Sequence, residues 1–226
     1  MKPLYKKLEE SDPVELKRNL DQILESNPFS PLALVNFLEK HFFADFYYKK
    51  NYSNLKLTLK EHTLFVLENF EQFFAENFDG NKKLFRLMLA LHDIGTPIAL
   101  EAGSRELQHK YTEALVTEFF AKIGYSKKEL NFVLSFINAD VIGSYIQQKE
   151  NSELYPSAEK IIKQSKKIGM EAEKYLELLN IYYLVDAGSY TKKELGFENF
   201  DHLFESKSDS FSFSVLIQPL IDLLKN

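Results

Sequence analysis

The chain contains no cysteine, which excludes disulfides, thiolate metal sites and cysteine nucleophiles together and leaves nitrogen and oxygen donors for any metal. Long apolar runs are missing as well. None approaches a membrane span, and residues 1–10 are charged and lack the apolar core of a secretory signal, so the expectation is a cytoplasmic protein with no membrane partner. Positive charge is not in excess: 28 Lys+Arg stand against 33 Asp+Glu, a net charge of −5. That balance gives no general attraction for long nucleic acid, and any phosphate binding has to be local. Arginine is scarce, occurring as Arg18, Arg86 and Arg105.

What the chain does have is material for a core. Its 226 residues are 45% hydrophobic, with 20 Phe and 12 Tyr, enough to bury a sizeable aromatic interior. Helix signals recur along it. Asp12-Pro13 with Glu15, and Ser30-Pro31, place a capping side chain before a proline at the first helical position, predicting helices over 13–25 and 31–43. Leu64, Phe65, Val66, Phe70, Phe73 and Phe74 recur at helical spacing and predict a helix over 58–76 that carries His62. Residues 81–94 are apolar on nearly every side, the mark of a helix packed centrally, and they end at His92-Asp93. Gly95 is placed to terminate that helix, and Pro97 with Gly103 reads as loop punctuation.

Helices over 106–122 and 127–139 follow, the second announced by a Ser126/Glu129 capping box. Ser157 reads as the cap of a further helix. Tyr175, Leu178, Leu179, Tyr182 and Val185 predict an amphipathic helix over 170–187 that brings Asp186 onto its apolar face. The alternation from Ser206 to Ser214 admits a short strand, with an apolar stretch over 215–224 behind it. The expected fold class is all-α, a single helical bundle over residues 1–226.

Two ionisable side chains at the end of a central apolar helix, His92 and Asp93, are costly to desolvate without partners. A metal ion removes that cost, and a hydrogen-bonded helix-end carboxylate is the plainer alternative. Asp186 likewise needs an internal partner, for which a salt bridge, a tyrosine hydroxyl or a metal would each serve. His62 shares a face with Phe65, Val66 and Asn69, which on its own describes a core histidine.

Taken in order, Lys60-Glu61-His62-Thr63, then Ala90-Leu91-His92-Asp93-Ile94-Gly95-Thr96-Pro97, then Tyr183-Leu184-Val185-Asp186-Ala187, the chain resembles the HD superfamily of metal-dependent phosphohydrolases. The stretch from His92 to Ile137 is most similar to the HD domains attached to tRNA nucleotidyltransferases. The resemblance covers about residues 58–190, leaving 1–57 as an N-terminal helical extension and 191–226 as a C-terminal one. It implies that His62, His92, Asp93 and Asp186 hold a divalent metal ion. Their N/O donor set suits Mn, Fe, Co, Ni, Zn or Mg.

It also implies hydrolysis of a nucleotide or other small phosphoester by attack of metal-bound water, with Asp93 in the catalytic group. His109 and Asp140 are further catalytic candidates, for orienting water or protonating the leaving group; a helix-end carboxylate is the plainer role for Asp140. Arg105 and Lys110 flank His109 and are candidate phosphate contacts, Arg105 for its bidentate fork. Both would otherwise be solvated loop cations. His41 and His202 read as surface or core residues.

Two departures from the family pattern stand out. Thr96 occupies a position where many members have lysine, and the glutamate some members carry just after the His-Asp pair is missing. Three other readings follow: an HD-fold nucleotide-binding or regulatory module without turnover, a diiron oxygenase, which needs more ligands than these four, and a metal-free helical interaction protein.

Overall fold

The computed structural model describes residues 12–51, 57–138, 141–147, 154–194 and 213–225. It is all-α. Among the described residues no strand forms, and a lone antiparallel bridge joins Lys50 to Thr58. The chain divides into two compact units, Met1–Ile137 and Asn138–Asn226.

The first unit holds α1 (Pro13–Leu24), α2 (Pro31–Leu38), α3 (Ala44–Tyr47), α4 (Leu59–Phe73), α5 (Lys82–Leu91), α6 (Thr96–Glu101), α7 (Gln108–Ile123) and α8 (Lys127–Ile137). The caps expected at Asp12, Ser30 and Ser126 are made. Asp12 accepts from the Val14 amide at 3.0 Å and Ser30 from the Ala33 amide at 3.2 Å. Ser126 and Glu129 exchange backbone and side-chain bonds at 2.7 and 3.2 Å. Thr58 and Glu61 form a second capping box at the start of α4. These bonds satisfy amides that the first helical turn leaves without an intrahelical acceptor.

Central burial of α5 follows its composition. All eight residues from Leu84 to Leu91 are buried, and the helix packs against α1, α4 and α8. Arg86 is the polar exception. Its guanidinium donates to both oxygens of Glu71 at 2.8 and 2.7 Å and to the Leu24 carbonyl at 2.6 Å, and lies over the Phe29 ring, so the charge enters the core fully paired. In α4 the buried stripe is Leu59, His62, Thr63, Val66, Leu67, Asn69 and Phe70, while Leu64, Phe65, Phe73 and Phe74 are half-buried.

Three local expectations are corrected. The stretch after Gly95 is the helix α6, with Pro97 in its first turn, where a missing N–H costs nothing; it is not a loop. The helix expected over 31–43 changes hydrogen-bond pattern at Glu39 and runs as a π-turn through Phe43. The wider turn faces both Phe42 and Phe43 inward, where they meet the Phe119 ring. Ser157 is not a cap: α10 (Leu154–Ile168) begins three residues earlier, and Ser157 is buried within it.

The second unit comprises α9 (Val141–Gln147), α10, α11 (Ala172–Glu194) and α12 (Phe213–Lys225). α10 packs against α9, α11 and α12. Tyr175, Leu176, Leu178, Leu179 and Val185 form the buried side of α11, and Tyr182 and Asp186 are half-buried on it. Of the serine-interleaved run, residues 206–212 lie outside the described residues, and Phe213 and Ser214 open α12. No described helix is long and apolar enough to cross a membrane.

Candidate metal centre

His62 enters from the first full turn of α4, its amide bonded to the capping residue's carbonyl, Thr58 O, at 3.1 Å. His92 caps the C-terminal end of α5 in helical conformation, and Asp93 stands in the turn before α6. The two imidazoles are buried to 0% and 2% exposure and present Nε2 to Nε2 at 3.1 Å. The Asp93 carboxylate joins them, its Oδ2 3.3 Å from His62 Nε2 and 3.7 Å from His92 Nε2.

The proton on His92 is placed by chemistry. Its Nδ1 lies 2.7 Å from the Leu89 carbonyl oxygen, and a carbonyl only accepts, so Nδ1 carries the hydrogen. In the neutral ring Nε2 then offers a lone pair toward His62. A nitrogen lone pair held out of water beside a second imidazole and a carboxylate calls for a proton or a cation between them. The spacing fits a shared proton and admits a cation equally: metal–nitrogen bonds of about 2.1 Å meeting at a right angle, as in an octahedral site, put two nitrogens roughly 3.0 Å apart. His62 and His92 are thus placed as donors that could hold a metal ion, with the Asp93 carboxylate beside them.

Neighbouring elements hold this group in place. The Tyr47 hydroxyl donates to the Ala90 carbonyl at 3.2 Å, fixing the last turn of α5; burial, and secondarily Glu39, pushes the phenol above its ordinary pKa, so it remains a donor. Gly95 N–H donates to Thr112 Oγ1 at 3.1 Å, and a Cβ on Gly95 would lie 2.6 Å from that oxygen and 2.8 Å from the Gln108 carbonyl oxygen. Glycine is required here for close approach of α7, not for a left-handed backbone.

The remaining expected site residues fall as follows. Asp186 stands on α11 in the second unit, its Oδ1 shielded from solvent, and Ser189 Oγ donates to its carbonyl at 2.6 Å. His109 and Lys110 are exposed in the first turn of α7. Arg105 opens the short 3-10 turn Arg105–Leu107, but its side chain lies outside the described residues, as do Asp140 and His202. Thr96 is fully buried. His41 packs against the Phe37 ring at 4.7 Å, and burial together with Lys40 lowers its pKa, consistent with a packing role.

Two residues that the sequence reading did not single out touch the group directly. Asn51 Nδ2 donates to Asp93 Oδ2 at 3.2 Å, and Gln108 Nε2 to Asp93 Oδ1 at 2.5 Å. Neutral amides carry no charge pattern that would have marked them. Compared with protein-family models, curated proteins and solved structures, the chain matches none.

Proposed function

We propose that this chain is a metal-dependent phosphohydrolase whose ion is held by His62, His92, Asp93 and Asp186 and whose substrate is a nucleotide or another small phosphoester. The observation that carries the reading is the pair of buried imidazoles, 3.1 Å apart, with the His92 proton committed to a backbone carbonyl on the far side of its ring. Two imidazoles and two carboxylates make an N/O donor set suited to one divalent ion, and Asp186 is assigned to it from its place in the order of the chain. The order of the four residues along the chain, which resembles that of the HD superfamily, supports the same assignment.

When bound, such an ion lowers the pKa of water and polarises a phosphoryl oxygen. The protein's own part is to aim the ligands: the Leu89 carbonyl orients His92, and the α4 cap orients the turn bearing His62. His109, exposed beside Gln108, is the proposed group for proton transfer with the leaving oxygen, and Asp140 a second. Lys110 and Arg105 are the proposed phosphate contacts. A net charge of −5 favours small substrates over long nucleic acid.

A second reading is favoured by Thr96, which is uncharged and fully buried where many HD proteins carry lysine: a nucleotide-binding module that keeps its ion but does not turn over. Metal analysis and a screen of phosphomonoesters and phosphodiesters with several divalent ions separate the two, since the module binds nucleotide and releases no product.

Substitution tests the ligand set. His92→Ala is expected to abolish metal retention with helical content preserved. Asp186→Asn is expected to weaken metal affinity sharply, and added metal should raise its melting temperature less than the parent's. Parent-like affinity with reduced stability would make Asp186 a structural partner and remove it from the site. Phosphatase activity that survives thorough chelation would overturn the mechanism.

A further inference from the structure

We propose that Asn51 and Gln108 are positioning residues that hold the Asp93 carboxylate in the orientation needed for a cation, an inference that rests on the metal reading above. Each amide takes one carboxylate oxygen: Asn51 Nδ2 reaches Oδ2 at 3.2 Å and Gln108 Nε2 reaches Oδ1 at 2.5 Å. A carboxylate accepts and does not donate, so the nitrogen end of each amide must face it. Two donors on opposite oxygens fix the plane of the group, and the fixed plane leaves Oδ2 toward His62 Nε2 and His92 Nε2, at 3.3 and 3.7 Å.

The choice of amides has a chemical meaning. A lysine or arginine here would orient the carboxylate equally well but would supply the positive charge a divalent ion has to bring. Asparagine and glutamine orient the carboxylate without adding a charge of their own. A carboxylate retained only for stability has no such constraint and is commonly met by a cation.

Both amides are themselves anchored, Asn51 to the helix that bears His62 and Gln108 to the helix that packs against the turn after Asp93. Asn51 is buried, its amide bonded to the Leu57 carbonyl at 2.8 Å, and the Leu59 amide returns to the Lys49 carbonyl at 2.8 Å. This backbone clamp ties Asn51 to the start of α4, at the head of the turn that carries His62. Gln108 is the first residue of α7, the helix held against Gly95 through Thr112. The carboxylate is thus gripped from the α4 side and the α7 side at once.

Calorimetric titration of the full chain with Mn²⁺ and with Zn²⁺ tests this, alongside melting of the metal-free proteins. Gln108→Met, half-buried and close to isosteric, and Asn51→Leu are expected to weaken metal affinity about tenfold or more, the usual effect of removing a ligand's orienting partner. Gln108→Met should melt within a few degrees of the parent without metal. In an Asp93→Asn background the same Gln108→Met change should cost much less, because its effect passes through the carboxylate. Parent-like affinity in Gln108→Met, or an equal loss in both backgrounds, overturns the inference while leaving the metal reading intact. A parent chain that binds neither ion overturns the metal reading, and the inference with it.

Discussion

A single methyl group added at Gly95 probes how the His-Asp turn is held against α7. Gly95 has φ −82°, which any residue adopts, so Gly95→Ala carries no backbone penalty and its effect is steric. The new Cβ would lie 2.6 Å from Thr112 Oγ1, 2.8 Å from the Gln108 carbonyl oxygen, and nearer still to the Thr112 amide nitrogen. Two of these three atoms are backbone, so no rotamer change relieves the clash and α7 has to move. Overpacking costs about 1–3 kcal/mol, and a weakened bond from the buried Gly95 N–H to Thr112 adds about 1 kcal/mol. The sum, about 2–4 kcal/mol, corresponds to a fall of roughly 4–16 °C in Tm at 2–4 °C per kcal/mol for a chain of this size. Thermal and urea unfolding followed by circular dichroism measure it. Thr112→Ala in the same chain should not rescue the loss, because the Thr112 amide and Gln108 carbonyl remain in the way. A Gly95→Ala protein that melts with the parent, or a full rescue by Thr112→Ala, would refute the reasoning.

Two further expectations concern the scaffold. Burial raises the Asp21 pKa, but hydrogen bonds from Lys17, Lys83 and Tyr125 outweigh it and hold the carboxyl below its ordinary value of 3.8. Its contribution is therefore present above that pH and is lost as the pH falls through the lower folded value. Asp21→Asn should be less stable than the parent at neutral pH, with the gap closing in acid; urea titrations across the range check this, and a pH-independent gap would count against it. Arg86→Leu removes the donors that serve Glu71 and the Leu24 carbonyl and should cost about 2–4 kcal/mol in equilibrium unfolding. Arg86→Lys should recover part of that loss and no more, since an ammonium cannot reproduce the two-pronged contact; a full recovery would contradict this account.

Helix starts were the most legible part of the chain, because a cap is local chemistry: Asp12, Ser30 and Ser126 bond amides two or three residues away. The central position of α5 was legible for a related reason, an apolar surface on every side having no stable place but the interior. Features settled by distant packing were not. The π-turn at Glu39–Phe43 packs its two phenylalanines on the Phe119 ring, a partner far along the chain that no local pattern announces. Pro97 was misread because proline marks a helix's first turn as readily as a loop. Within the site, His62, His92 and Asp93 could be named from residue type and order. Asn51 and Gln108 could not, since they lie 42 and 15 residues from the carboxylate they serve and meet it only through the fold.

The bond from His92 Nδ1 ends on main chain, and that has a consequence for how the protein tolerates change. Where an imidazole is steered by a neighbouring carboxylate or amide, one substitution at the neighbour can leave its hydrogen free to switch nitrogens. Here the steering oxygen belongs to Leu89, and every residue compatible with α5 presents the same carbonyl at that point. Replacing Leu89 would disturb packing around a fully buried side chain without moving the hydrogen on His92. The ring's chemical state is inherited from the helix itself, and side-chain variation at position 89 leaves it untouched for as long as the helix survives.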